Sequence, residues 1–402
     1  MPNMYALYFA YAMYGFTFAF SAIAIQYTMV DHFHFTPAEI SYTAGIISSP
    51  WMIKPLYGAM IDKFPLLGYR RGYVSISAFF TGFLYAFMPS VAHDKVSVIA
   101  CLTAASLFVC VADVATDSLV VQLVKKGHNI QSYCWLCRSV GTLVATALSG
   151  LAFEHLGYEF VIRSTSIGPF LLSVLIWEFK EPVQVPGHVG APVFRAVWEM
   201  KDLMIFIFIM GIVPEVNSVL FFVLKRDIDP VAMSLVDICG ALSASLVAAA
   251  YNYLKCKDRT SWSLAIWLNI VCTVMALAIL TGAPPLEYAC VRAALLGVGS
   301  MFYVLPVVIF VANHCPNNAE GTTYALVMSW MNASNIFGEF LQSVVVSALD
   351  ITEQKYKHIL GFLMCAIVVG FLPFWFRPTN MAPILGSHDR TTHAAPGSRR
   401  VE

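Results

Sequence analysis

The apolar residues of this 402-residue chain come in long blocks, and no other feature constrains its fold as strongly. Runs such as "VSVIACLTAASLFVCVADVATDSLVVQLV", "SLVDICGALSASLVAAAYNYL" and "HILGFLMCAIVVGFLPFWF" are each long enough to cross a bilayer core of ~30 Å as a helix. In hydrocarbon the backbone must satisfy its own hydrogen bonds, so blocks of this length imply helices. A transmembrane barrel would instead alternate apolar and polar residues over ~10-residue strands, and these blocks do not. Only 12% of the residues are charged, against roughly 25% in soluble domains.

Splitting the blocks at charged, Pro-rich or Gly-rich breaks gives about twelve segments, near 4–30, 38–61, 72–92, 96–122, 131–153, 160–179, 202–224, 230–252, 262–282, 286–312, 320–347 and 357–377. The expected fold class is therefore an all-α, multi-pass membrane protein of twelve transmembrane helices. The first block starts almost at Met1 without a basic leader, so it is expected to serve as its own insertion signal. Lys and Arg gather in the loops that share a side with the termini (Lys63, Arg70, Arg71, Lys125, Lys126, Lys201, Lys255, Lys257). This bias places both ends in the cytoplasm. The ten cysteines lie in apolar blocks or on that same side, so no disulfide framework is expected. Cys134 and Cys137 are spaced as a helix face beside Trp135, which argues against a metal or redox role.

The longest internal break, 181–201, separates six segments from six. "TPAEIS" (Thr36 to Ser41) and "DPVAMS" (Asp229 to Ser234) open the second segment of each half. Each offers an N-cap residue followed by proline, and the first adds Glu39 at the capping-box position. The expected organisation is a six-helix bundle over 1–180, a central cytoplasmic loop over 181–201, a second bundle over 202–377 and a disordered cytoplasmic tail over 378–402. That is the two-bundle plan of major-facilitator carriers.

Eight ionisable residues fall inside the apolar blocks: Lys54, Asp113, Asp117, Arg138, Glu215, Asp237, Arg292 and Glu339. Each would cost roughly 2.5–3.5 kcal/mol if it faced lipid unpaired, so they must meet one another or a wet cavity. Lys54, Asp113, Asp117 and Arg138 all sit in the cytoplasmic half of the first bundle and form a charge-neutral quartet. Two readings stay open: a gate that locks that side, or direct contact with substrate or proton. Pro50 and Pro55 bracket Lys54 and interrupt helical hydrogen bonding, which suggests a broken helix aimed into the bundle. In the second half three acids face one base. Glu215, Asp237 and Glu339 are candidates to carry a proton, and Arg292 is expected to meet either a substrate carboxylate or Glu339. Asn332, Asn335, Glu339 and Gln342 recur at 3- and 4-residue steps, a polar stripe suited to a cavity.

The stretch "PWMIKPLYGAMIDKFPLLGYRRGY", Pro50 to Tyr73, closely resembles the signature of the folate–biopterin transporter family of the major facilitator superfamily. "ADVATDSLVVQLV", "QSYCWLCRSVGTLV" and "LPVVIFVANHCPNNAEGTTYALVMSWMNASN" resemble later family segments in the same order. Gly72 and Gln122 depart from it, standing where relatives often carry a base and an acid. The resemblance implies a carrier of folates or pterins that works by alternating access with protons as the coupling ion, and it implies that Gly58, Asp62, Lys63, Arg70 and Arg71 pin the inner gate. The expected partners are thus a small-molecule folate or pterin, protons and the lipid bilayer, with no nucleic acid, no cofactor and no metal. The protein is expected to be a monomer of the plasma membrane, with an organelle membrane as the other option. The rival is a carrier of the same fold for S-adenosylmethionine, an amino acid or a nucleoside. An enzyme is not expected, since His32 and His34 stand alone and no phosphate-binding glycine loop is present. A channel would need pore-lining repeats or a filter loop, and neither is evident.

Overall fold

The computed structural model describes residues 4–66, 68–125, 130–181, 198–254, 256–314, 320–351 and 357–378. Among them every long element is helical, and the sole β pairing is an isolated bridge between Leu66 and Tyr69. The elements are α1 (Tyr5–Asp31), α2 (Pro37–Ser48), a 3-10 turn (Ser49–Ile53), α3 (Lys54–Lys63), α4 (Arg71–Val91), α5 (Lys95–Lys125), α6 (Gln131–Thr165) and α7 (Ile167–Leu175). They continue with α8 (Lys201–Ile212), α9 (Asn217–Leu224), α10 (Pro230–Leu254), α11 (Asp258–Leu280), α12 (Pro285–His314), α13 (Glu320–Ala348), α14 (Lys357–Val369) and α15 (Pro373–Phe376). Nine stretches among the described residues are long and apolar enough to cross a membrane, and the chain is an integral, multi-pass membrane protein. The tail beyond residue 378 and most of the central loop lie outside the described residues.

Local chemistry sets the helix starts. Thr36 caps α2 as the sequence suggests: the Glu39 N–H donates to Thr36 Oγ1 at 3.2 Å, and the Thr36 N–H donates to Glu39 Oε2 at 2.8 Å. Asp229 caps α10 in the same way, accepting from the Ala232 N–H at 2.7 Å. Asp94 does so for α5, accepting from the Ser97 N–H at 2.8 Å, and these hydrogen bonds hold its carboxyl below the usual range.

One break agrees with the sequence and two features depart from the expected segments. The 38–61 segment is interrupted by the 3-10 turn, because Pro50 and Pro55 remove two backbone donors. The 202–224 segment is interrupted over 213–216, next to Pro214, so Glu215 sits in unwound backbone between α8 and α9. The 131–153 segment and the start of the 160–179 segment run together as the 35-residue element α6, kinked at Gly157 (φ 78°), and the rest of 160–179 continues as α7 and a 3-10 turn over Ile176–Glu178. A side chain at that φ would be strained, and glycine is not.

Packing distinguishes two ends of the molecule. We call the end bearing Met4 and Phe376 the terminal face and the opposite end the distal face. Toward the distal face a single apolar cluster joins Ile23, Tyr27 and Val30 of α1 to Phe221, Phe222 and Met233. Toward the terminal face the apolar clusters stay separate. One draws on Ala6 to Phe179 and another on Met200 to Met331. The early and late parts of the chain thus share one apolar cluster at the distal end and keep separate ones toward the terminal end, where α13 still packs on α3 and the 3-10 turn.

The α1–α6 seam is the tightest approach. A Cβ on Gly141 would stand 2.1 Å from Ala12 O, and one on Gly15 would stand 2.2 Å from Arg138 O. Gly141→Ala is therefore expected to push the two helices apart at a cost of about 1–3 kcal/mol. The check is a lowered Tm of the purified protein in detergent.

Candidate functional site

The 3-10 turn delivers Lys54 into the packed interior, where it is 7% exposed. Its Nζ donates to Asp113 Oδ2 at 2.7 Å and lies 4.5 Å from the Trp51 ring centre. Arg138 Nη1 from α6 reaches the other carboxylate oxygen, Asp113 Oδ1, at 3.3 Å. One buried carboxylate is therefore shared by two cations from two other elements, the arrangement a low-dielectric interior demands. Asp117, one turn along α5, does not join this ion pair. It accepts a hydrogen bond from the Tyr11 hydroxyl of α1 and is half-buried. The expected quartet is thus a triad of Lys54, Asp113 and Arg138 with Asp117 beside it.

Trp51 is held on this site by its indole N–H, which donates to Ser106 Oγ at 2.9 Å, and by Phe18, whose ring centre is 6.0 Å away. Arg138 lies 5.6 Å from the Trp135 ring centre. Tyr14 is buried and shares a 2.7 Å hydrogen bond with Thr116.

The acids of the later helices are arranged differently from expectation. Arg292, buried at 8% exposure, donates from Nε to Cys272 O at 3.1 Å and from Nη2 to Asn217 Oδ1 at 2.8 Å. It makes no ion pair with Glu339 or Glu215 among the described residues, so of the two expected roles the pairing with Glu339 is not formed here. Asn217 Nδ2 in turn donates to Glu215 Oε2 at 3.1 Å, so the amide relays between base and acid across the break in the helix. Glu339 Oε2 is buried with no hydrogen-bond partner among the described residues. Asp237 is exposed and has no partner among the described residues. It lies seven residues after Pro230 and three after Ser234, and so continues the face of α10 that meets Gly150 of α6.

The polar stripe of α13 divides by position. Asn332 Nδ2 donates to Trp51 O at 3.4 Å, and Gln342 Nε2 donates to Ser41 Oγ at 3.0 Å. Ser343 Oγ donates to Ala38 O at 2.9 Å. Two of the four stripe residues, Asn332 and Gln342, thus form a seam against the 3-10 turn and α2, while Asn335 is exposed. At the distal end Lys225 pairs with Asp31 and lies 5.6 Å from the Tyr27 ring centre. The Tyr27 hydroxyl donates to Ile228 O at 3.2 Å, and its ring meets Phe221 edge-on at 5.5 Å.

The terminal-face motif is tied to the end of the sixth expected segment. The Arg70 and Arg71 backbone N–H groups donate to Glu181 Oε1 and Oε2 at 3.0 and 2.9 Å. The Arg71 guanidinium lies between the rings of Tyr69 and Trp177, at 4.5 and 4.9 Å. Lys63 rests on Phe64 at 5.4 Å. Gly58 faces Val114 loosely, since a Cβ there would stand 3.8 Å from the valine side chain. The Asp62 side chain lies outside the described set.

Sequence reasoning missed Tyr11, Asn217, Trp51 and the unwinding at Glu215. Pro214 and the adjacent Glu215 and Asn217 carried a signal for the last of these. Tyr11, Tyr14 and Phe18 repeat at 3- and 4-residue steps, which marks one face of α1.

Solved structures identify the fold. A mutant form of the nucleoside transporter NupG superposes with a TM-score of 0.72 at 14% identity, covering 93% of this chain and 99% of that one. A POT family transporter gives 0.74 at 8% identity over 93% and 96%. A D-xylose–proton symporter gives 0.67 at 12% over 93% and 97%. The chain shares its fold with these solved major-facilitator-like transporters. Sequence gives the family: the BT1 family model matches residues 14–396, and the chain belongs to the BT1 family. A folate-biopterin transporter of Synechocystis sp. is 24% identical over 92% of this chain and 79% of its own length. Folate transporter 1 of Plasmodium falciparum is 20% identical over 88% and 75%. The protein is a transporter and not an enzyme.

Proposed function

We propose that this protein carries folate or biopterin-type pterins across a membrane by alternating access, coupled to protons. The observation that carries the reading is the match of nearly the whole chain to a family whose relatives are named for folate and biopterin. Twelve crossings in two bundles fit the described helices. The 46-residue stretch from Tyr133 to Glu178 is long enough to cross twice around Gly157. The pair α2–α3 and helix α13 supply the two remaining crossings beyond the apolar stretches. In this reading both termini are cytoplasmic, and the conformation is closed outside and open inside.

Glu339 is the group proposed to carry the proton. A carboxylate oxygen buried without a donor is costly as an anion, and Glu339 Oε2 has no hydrogen-bond partner among the described residues. The test is uptake of radiolabelled folate and biopterin into cells lacking their own carrier, with and without a protonophore. Saturable uptake that collapses with the protonophore is expected, and absence of uptake of either compound overturns the reading. Glu339→Gln is expected to abolish proton-driven accumulation while leaving exchange of labelled for unlabelled substrate within about twofold. Loss of both activities together would show that Glu339 is needed for more than the proton.

A further inference from the structure

The groups beside the Lys54–Asp113 pair are incompletely used. Asp117 accepts one hydrogen bond, from Tyr11, and has no cation partner among the described residues. Arg138 offers five N–H donors, and the one hydrogen bond it makes among the described residues goes to Asp113. Neither side chain is fully buried: Asp117 is half-buried, and the Arg138 side chain is 27% exposed. Trp135, itself 38% exposed, offers a ring beside Arg138.

Spacing relates the two groups. Asp113 and Asp117 are one turn apart on α5, about 5–6 Å between side chains, and Arg138 is bonded to Asp113. The Asp117 carboxylate and the Arg138 guanidinium thus flank the same Asp113 side chain, one from a turn along α5 and the other from α6. A 2-amino-4-oxopteridine carries the complementary pattern along one edge. Its 2-amino group and N3–H are adjacent donors that match a carboxylate two to two, and its 4-oxo and N5 atoms are adjacent acceptors.

Building on the proposed pterin-carrier function, we infer that Asp117 and Arg138 form the recognition site for the pteridine head group. Asp117 accepts from the 2-amino and N3–H groups, and Arg138 donates to the 4-oxo and N5 atoms. The Lys54–Asp113 pair holds Arg138 in place as the positioning element. The site reads the part that folate and biopterin share, so it discriminates the ring and not the tail.

The experiment is competition against labelled biopterin uptake by an unlabelled 2-amino-4-oxopteridine and by its 2,4-dioxo analogue. The analogue replaces a donor facing Asp117 with an acceptor. In the wild-type protein the 2-amino compound should compete at about tenfold lower concentration or better. Asp117→Asn should bring the ratio of the two close to one, because an amide can donate as well as accept. Arg138→Gln should weaken both competitors while leaving their ratio unchanged. Where a variant no longer transports, the same ratio is read from ligand-dependent Tm shifts of the purified protein. An unchanged ratio in Asp117→Asn, or no preference in the wild type, overturns the site. A wild-type protein that takes up and binds no pteridine overturns the carrier reading itself.

Discussion

Lys54→Ala is expected to abolish uptake while the protein still reaches the membrane. Removing Lys54 leaves the Asp113 carboxylate buried with Arg138 as its one remaining partner, at 3.3 Å. Breaking a buried ion pair from one side typically costs about 3–5 kcal/mol, because the remaining charge stays in low dielectric. That cost falls on the conformation in which the pair is formed, so the balance between the two access states should move by orders of magnitude. Uptake of labelled substrate, normalised to protein at the surface, is the measurement. Near-normal uptake would show that the pair has no part in the cycle. The double variant Lys54→Ala/Asp113→Ala separates the two roles left open by the sequence. It removes the buried pair and leaves Arg138, whose side chain is 27% exposed, as the one remaining charge of the triad, so a pair acting as a structural lock should tolerate it, with transport recovering to a measurable fraction of wild type. A pair that must hold Arg138 against a ligand should not recover.

The early charged network was largely legible because hydrocarbon makes each charge expensive. Lys54, Asp113 and Arg138 stand out in apolar blocks, and depth along their helices placed them at one level. The prolines around Lys54 announced the 3-10 turn that aims it inward. What depth could not give was rotation. Asp113 and Asp117 share a face, yet one meets two cations and the other a tyrosine hydroxyl, a choice made by the side chains of α1, α3 and α6. Arg292 shows the same limit. Its obvious partner by charge was Glu339, but an amide and a backbone carbonyl lie closer and satisfy its donors. A stripe such as Asn332 to Gln342 reads as polar from sequence alone. Whether it lines a cavity or zips two helices depends on whether a neighbouring helix presents acceptors, as α2 does with Ser41 and Ala38.

Linking Ser41→Cys to Gln342→Cys is expected to stop transport completely and reversibly. The two native side chains share a 3.0 Å hydrogen bond across the α2–α13 seam. The neighbouring contact from Ser343 to Ala38 and the close approach of Phe340 to Gly45 show that the helices touch over several turns. This seam lies on the distal side of the molecule, with the apolar cluster of Ile23, Tyr27 and Phe221 and the Lys225–Asp31 pair. Alternating access requires the distal side to open once per cycle, which must part these contacts. An oxidant should therefore join the cysteines and arrest uptake, and a reductant should restore it, whereas each variant carrying one of the two added cysteines beside the ten native ones should continue to transport under oxidant. Continued uptake by a protein shown to be fully cross-linked would mean that α2 and α13 stay together throughout the cycle and that the distal side opens elsewhere. The α6–α10 contact, where a Cβ on Gly150 would stand 2.4 Å from Pro230 O, would then be the seam that moves.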